Sequence, residues 1–162
     1  MKISSVNFEF PCFGLCVEHN DQELIRAYFY NSRLDSRPVI VGDASALSLE
    51  IINQLQAYLK NSKFKFNLPY KLLGTQHQLK VWQIMEGLQV GNCITYGEVA
   101  KLIKSAPRAI GGACGKNPFP VIVPCHRIIA ANNSLGGFNS GNLFFSLGIK
   151  RWLLEHEGLQ LN

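Results

Sequence analysis

A cysteine and a histidine stand side by side in this chain, as Cys125 and His126 in the run Val-Pro-Cys-His-Arg over residues 123–127. A thiolate is a strong, soft nucleophile, and basic neighbours favour its formation. Glu155 and Glu157 are carboxylates that could orient His126 as a base. Adjacent side chains of an extended strand point to opposite faces, so contact between Cys125 and His126 requires a bend or a bridging water. The pattern indicates nucleophilic chemistry. The alternative is an inert, buried thiol, which is the usual fate of a free cysteine.

Composition and charge narrow the class of protein. The chain has 162 residues, 47% of them hydrophobic, and a net charge of +5 from 16 Lys plus Arg against 11 Asp plus Glu. This balance mildly favours a polyanionic partner. Five cysteines, an odd number, and a start without an apolar signal segment favour a reduced compartment. We therefore expect a cytoplasmic protein, nucleoid-associated in a bacterium or nuclear in a eukaryote, with no membrane contact.

The first part of the chain predicts an α/β lobe over residues 1–70. Short alternating runs favour strands over 2–10, 14–18, 24–30 and 39–41, and a 3.6-residue apolar period favours a helix over 45–60. Residues 63–73, with Pro69, are typical of an extended linker.

The second part, residues 71–162, predicts a mainly helical domain. Thr75 can cap one helix, and Thr95 with Glu98 has the spacing of a capping box for another. Pro107 then separates this short helix from a second one over 108–114, and the pair resembles a helix-turn-helix. A last amphipathic helix ends at Gly158.

Small residues mark the second short helix: Ala109, Gly111, Gly112 and Ala113. They allow the helix backbone to approach another surface closely, or they serve tight packing inside the protein. After this helix, Pro118, Pro120 and Pro124 exclude a helix, and residues 121–123 between them predict a short buried strand or extended segment.

Ordered motifs between residues 74 and 158 resemble the O6-alkylguanine-DNA alkyltransferase family, also called methylated-DNA–protein-cysteine methyltransferases. These motifs are Gly74-Thr75 with Gln78 and Val81-Trp82, Tyr-Gly-Glu-Val-Ala at 96–100, Arg-Ala-Ile-Gly-Gly-Ala at 108–113 with Asn117-Pro118, Val-Pro-Cys-His-Arg-Ile at 123–128, and Lys-Arg-Trp-Leu-Leu-Glu-His-Glu-Gly at 150–158. Residues 1–73 fit the family only in outline. The resemblance implies an α/β (α+β) fold: an N-terminal antiparallel sheet with a helix, of the ribonuclease H-like kind, and a helical lobe with a winged-helix-like helix-turn-helix.

The resemblance also implies roles for individual catalytic residues. Cys125 is the expected alkyl acceptor, His126 its base acting through a water, and Glu157 the residue that orients His126. Asn117 is expected to brace the active-site segment. Tyr96 is expected to help rotate the nucleotide and to bond the guanine; on its own it would read as a packing residue.

Further residues are implied in DNA and base recognition. Arg108 is expected to fill the gap left by a flipped base, although alone it would read as a solvated charge. Its helix would lie in the minor groove, and the expected contacts are Ala109, Gly112, Ala113 and Arg127. The expected pocket residues are Val123, Pro124, Phe138, Asn139 and Ser140. Phe138 stands where the family commonly has tyrosine, and the following loop is longer than usual.

The implied reaction is transfer of an alkyl group from O6-alkylguanine, and by extension O4-alkylthymine, in double-stranded DNA to a cysteine that is consumed once. The product is a thioether on the cysteine, which water does not readily hydrolyse. The expectation is a monomer that needs no cofactor and no metal. Cys12, Cys16 and His19 lack a convincing fourth ligand for a metal site. Two other functions are a non-catalytic damage-binding protein, whose relatives carry tryptophan in place of the cysteine, and a cysteine hydrolase.

Overall fold

The computed structural model describes residues 2–137 and 143–161. The chain divides into two compact units, residues 1–71 and 72–162. The predicted boundary between residues 70 and 71 lies one residue away. No helix in the described ranges is long and apolar enough to cross a membrane.

A four-stranded antiparallel sheet and one helix form the first unit. The strands are β1 (Ser4–Phe10), β2 (Phe13–His19), β3 (Leu24–Tyr30) and β4 (Ile40–Val41), in the order β3-β2-β1-β4. The helix α1 (Ala46–Lys60) contacts β1 and β2. The apolar stripe that predicted this helix faces the core. Its buried members, which recur at helical spacing, are Leu47, Ile51, Leu55 and Tyr58. The antiparallel sheet with a helix is therefore confirmed.

The second unit is mainly helical. It contains α2 (Gln76–Gly87), β5 (Ile94–Thr95), α3 (Tyr96–Ile103), α4 (Pro107–Gly115), β6 (Ile128–Ile129) and α5 (Leu143–His156). Single 3₁₀ turns cover Cys125–Arg127 and Ala131–Asn133. The strands β5 and β6 pair in parallel, which joins the start of α3 to the chain just after Cys125.

Capping boxes fix where α2 and α3 begin. Thr95 Oγ1 accepts the N–H of Glu98 at 3.1 Å, and the Glu98 carboxylate accepts the N–H of Thr95 at 2.7 Å. Thr75 and Gln78 make the same reciprocal pair at the start of α2. Because each box satisfies backbone donors that a helix start leaves open, the predicted starts are confirmed. Tyr96 consequently stands at the first position of α3.

A tight turn links α3 to α4, and the two helices pack together. Lys104 ends α3 in the left-handed region at φ 54°, and the Ser105 N–H returns to the Ala100 carbonyl at 2.8 Å. Pro107 occupies the first turn of α4, where its missing N–H costs nothing. The predicted pair of short helices is present.

Residues 121–123, predicted as a short buried strand or extended segment, are buried but do not form a strand. This segment makes a single bridge, between Pro120 and Val123, and Val121 adopts φ 75°. Prolines remove the backbone donors that a ladder needs, and a β-branched residue at positive φ is strained. The segment is instead a buried, irregular loop that leads into Cys125.

Candidate active site

Two consecutive turns hold Cys125. Pro124 has φ −81° and ψ 70°, close to an inverse γ-turn, and the Cys125 N–H bonds to the Val123 carbonyl at 2.8 Å. The Arg127 N–H then bonds to the Pro124 carbonyl at 3.1 Å in the 3₁₀ turn. This is the bend that the adjacent Cys125 and His126 require, and it turns the side chains of all three residues of the 3₁₀ turn into the protein.

Asn117 braces this loop from within. Its Nδ2 donates to the Val123 carbonyl at 2.8 Å, and its Oδ1 accepts the Phe119 N–H at 3.0 Å. The amide therefore satisfies buried backbone groups on both sides of Val121 and Ile122, in the loop that leads into Cys125.

His126 and Glu157 form a fully buried pair. His126 Nε2 lies 2.7 Å from Glu157 Oε2. Glu157 follows the last residue of α5, and its N–H still bonds to the Leu153 carbonyl at 3.1 Å. Because a carboxylate only accepts, Nε2 carries the proton, and Nδ1 keeps its lone pair. Within the described part of the chain, this Nδ1 is buried and has no hydrogen-bond partner.

Burial controls the protonation of this pair. Burial lowers the pKa of His126 and outweighs the opposing effect of the Glu157 carboxylate. Burial alone would raise the pKa of Glu157, but its contacts with His126 and Arg127 bring it down to about 2. His126 is therefore a neutral imidazole near pH 7, oriented by an ionised carboxylate, which is the state that a general base needs.

Arg127 corrects one prediction. It was expected to contact DNA, but it is only 8% exposed. Its Nε donates to Glu157 Oε1 at 2.7 Å, its Nη2 to Glu157 Oε2 at 3.3 Å, and its Nη1 to the Leu88 carbonyl at 2.6 Å. The guanidinium is held inside the protein by these acceptors, so it cannot reach a phosphate.

Lys150 is a site residue that the motif analysis did not single out. It is fully buried on α5, and its Nζ donates to the Ile128 carbonyl at 2.7 Å, the Gly137 carbonyl at 3.0 Å and the Tyr96 hydroxyl at 3.1 Å. Burial lowers its pKa to about 8, against the pull of three nearby thiols. The sequence does contain a signal for its burial. Lys150 stands three and four positions before Leu153 and Leu154, so it lies on the same face of the helix as these buried residues.

Tyr96 lies beside this ammonium. Its hydroxyl donates to the Gly137 carbonyl at 3.2 Å, and its ring centroid is 5.4 Å from Lys150 Nζ. Gly136 has φ 70°, and a Cβ there would lie 2.8 Å from the Tyr96 ring. The glycine is therefore needed both for its backbone angle and for the close approach of the ring.

The Cys125 thiol is 2% exposed. Burial raises its pKa, and the Asn117 side chain, the Lys150 charge and the backbone groups of Cys125 and His126 oppose this effect. The resting sulfur is thus a thiol, and nucleophilic attack requires a base to take its proton.

The outer face of α4 is open. Arg108, Ala109 and Gly112 are exposed, and a Cβ added at Gly111 or Gly112 would meet nothing within 4 Å. Tight packing inside the protein therefore does not explain these glycines, and close approach of an external surface remains.

Ala113 corrects a second prediction, because it is 3% exposed and lies in the core rather than on the exposed face of α4. Its carbonyl accepts the Trp82 Nε1–H at 2.9 Å.

The remaining predicted site residues fall into two groups. Val123 and Pro124 are buried in the loop below the cysteine. Phe138, Asn139 and Ser140 lie outside the described residues. As for metals, no group of three or more His, Cys, Asp or Glu side chains in the described ranges is arranged to hold an ion. In the first unit, His19 Nε2 instead lies 2.9 Å from Ser48 Oγ.

Comparison with known proteins gives one matching family model. The model of the 6-O-methylguanine DNA methyltransferase, DNA binding domain, matches residues 76–159. A methylated-DNA–protein-cysteine methyltransferase of Methanosarcina mazei is 42% identical over 110 residues, which are 67% of this chain and 66% of that protein. Another, from Methanocaldococcus jannaschii, is 39% identical over 113 residues, 69% of this chain and 64% of that protein. The chain thus spans slightly less than two thirds of the length of these curated relatives.

A solved structure extends the likeness to nearly the whole chain. The crystal structure of Mycobacterium tuberculosis OGT in complex with DNA superposes with a TM-score of 0.77 at 28% identity. The match covers 95% of this chain and 92% of that one. The mixed α/β architecture, with its antiparallel sheet and helices, is therefore shared over both units.

Proposed function

This chain belongs to the 6-O-methylguanine DNA methyltransferase family, and we propose that it repairs DNA by moving an alkyl group from O6 of guanine to its own Cys125. The observation that carries the proposal is the buried His126–Glu157 pair directly beside the buried Cys125. A neutral His126 is oriented through Nε2 by Glu157 at 2.7 Å, keeps a lone pair on Nδ1, and neighbours a thiol that needs a base.

The chemistry is a displacement at carbon. His126 Nδ1 takes the thiol proton through a water, and the sulfur attacks the alkyl carbon. The carbon–sulfur bond forms as the carbon–O6 bond breaks, and the electron pair leaves on the guanine. Tyr96 and Lys150 present a hydroxyl and an ammonium at 3.1 Å from each other, and donors of this kind stabilise a developing anion. The proton removed from sulfur balances the charge of the released guanine.

A consequence of this chemistry is single turnover. The product is a thioether, which water does not hydrolyse as it hydrolyses a thioester. The protein is consumed with each lesion, and the reaction calls for no cofactor. O4-alkylthymine, which offers the same kind of leaving oxygen, is included as a second substrate.

DNA engages the α3–α4 pair in this proposal. A base within a duplex is out of reach of a buried thiol, so the nucleotide is rotated out of the stack. Arg108 fills the gap, and the bare backbone at Gly112 lets α4 lie in the minor groove beside the exposed Ala109. The structure of the Mycobacterium tuberculosis relative in complex with DNA supports DNA as the partner.

Several finer expectations belong to the same proposal. The N-terminal sheet and helix would be ribonuclease H-like, and the α3–α4 region would be winged-helix-like. The protein would act as a monomer in the cytoplasm, near the nucleoid of a bacterium or in a eukaryotic nucleus.

The experiment is a stoichiometric reaction with a duplex that contains one O6-methylguanine. We expect the intact protein mass to rise by one methyl group in place of one hydrogen, once per molecule, and the duplex to become unmodified. Binding without a change in mass would favour a non-catalytic damage-binding protein. Repeated release of a small product would favour a cysteine hydrolase.

A further inference from the structure

We infer that Arg127 is a positioning residue, which keeps His126 neutral and able to accept the Cys125 proton by holding both oxygens of the Glu157 carboxylate. This inference rests on the proposed function for its kinetic consequence. Its electrostatic content can be measured in the protein without any substrate.

The geometry makes Glu157 a shared acceptor. Arg127 Nε and Nη2 reach Oε1 and Oε2 at 2.7 and 3.3 Å, while His126 Nε2 reaches Oε2 at 2.7 Å. The third contact, from Arg127 Nη1 to the Leu88 carbonyl at 2.6 Å, fixes the guanidinium to the segment that follows α2. The planar guanidinium thus sets both the position and the rotation of the carboxylate that orients His126.

The charges around His126 decide whether its imidazole can act as a base. A carboxylate facing only His126 would favour the imidazolium, and an imidazolium cannot accept a proton from sulfur. With Arg127 on the same carboxylate, the net charge that faces His126 is close to zero. Burial then favours the neutral imidazole, in agreement with the lowered pKa of His126.

The neighbours of His126 come from every side of the site. Lys150 faces it from α5 and Glu157 from the residue that follows α5. Arg127 and Cys125 belong to its own turn, and Cys93 lies near Glu157 in the segment before β5. Lys150 is a second cation that disfavours the imidazolium. Arg127 differs from Lys150 because it touches Glu157 directly, so its removal changes the charge that His126 meets through a hydrogen bond.

The test is an NMR titration of the His126 imidazole in the full chain, in the wild type and in three variants. In the wild type we expect a neutral ring near pH 7 with its proton on Nε2. In Arg127→Met we expect the titration of His126 to move to higher pH by about one unit, a tenfold change in its protonation equilibrium. In Glu157→Gln we expect a move to lower pH. The matched control is Arg151→Met. Arg151 is an exposed arginine of α5 that pairs with Glu155.

Kinetics then connect the charge to transfer. The rate of methyl transfer by Arg127→Met should fall most at low pH and recover toward the wild-type rate as pH rises through the new His126 titration. A merely structural loss would lower the rate by the same factor at every pH. Arg127→Lys, which keeps the charge, should shift the titration much less than Arg127→Met.

Three results would overturn the inference. They are a wild-type His126 that is imidazolium near pH 7, an unchanged His126 titration in a folded Arg127→Met, and a pH-independent loss of rate. Where Arg127→Met does not fold, Arg127→Lys replaces it: a small move of the His126 titration to higher pH supports the inference, and an unchanged titration overturns it. If the wild type transfers no methyl group but His126 titrates as described, the proposed function fails while the electrostatic role of Arg127 stands.

Discussion

The buried ammonium of Lys150 makes the stability of this protein depend on pH in an unusual direction. Burial lowers the pKa of Lys150 from 10.5 to about 8. Between those values the unfolded chain holds a proton that the folded protein has released, so the free energy of unfolding rises with pH. At about 1.4 kcal/mol per pKa unit, the gap corresponds to roughly 3 kcal/mol, all of it present above the unfolded pKa and lost as pH falls below about 8.

Urea unfolding of the wild type and of Lys150→Met across this range measures the effect. Thiols and tyrosines also titrate there, so the quantity of interest is the difference between the two proteins. We expect the wild type to gain stability relative to Lys150→Met with rising pH, by up to about 3 kcal/mol. Lys80→Met, which removes an exposed lysine of α2, should run parallel to the wild type. Parallel curves for Lys150→Met as well would refute the assignment of a buried ammonium.

Three other predictions address the loop and the DNA face. Asn117→Ala leaves the Val123 carbonyl and the Phe119 N–H without their partner. Each unsatisfied buried group costs about 1–3 kcal/mol, so urea unfolding should show a free energy of unfolding lowered by roughly 3 kcal/mol. A loss below about 0.5 kcal/mol would contradict the bracing role. Arg108→Ala should leave stability within about 0.5 kcal/mol, because Arg108 is exposed, yet slow repair of a duplex; an unchanged repair rate would remove its role as the inserted side chain. Gly112→Leu should fold normally, since a Cβ there meets nothing within 4 Å, but should weaken DNA binding in a titration against labelled duplex; undiminished affinity would show that α4 does not approach DNA at this position.

Local rules predicted much of the fold. The capping pairs at Thr75 and Thr95 set the helix starts, because each depends only on residues three apart. Apolar periodicity found α1 and the strands of the first unit. It failed over residues 121–123, where a hydrophobic run resembles a strand but the flanking prolines leave it without a ladder.

The site residues that belong to a recognised motif with an assigned role could be predicted from the sequence. Those whose role depends on whether the side chain is buried could not. His126 and Glu157 are 31 positions apart and meet as the motifs implied. Arg127 stands next to them in the sequence, but its direction depends on the 3₁₀ turn and on a carbonyl far away at Leu88. Lys150 was not singled out and Ala113 was expected on an exposed face for the same reason, since the exposure of a side chain is set by distant packing.

Alkylation of Cys125 itself is the central claim, and peptide mapping of the protein after reaction with an O6-methylguanine duplex tests it most directly. The account predicts one S-methylcysteine, at position 125, and no methyl transfer by a folded Cys125→Ala that still binds DNA. Cys93 and Cys114 are internal controls, because both lie near the same lysine. A methyl group on either of them, or on none of the cysteines while the lesion disappears, would contradict the account.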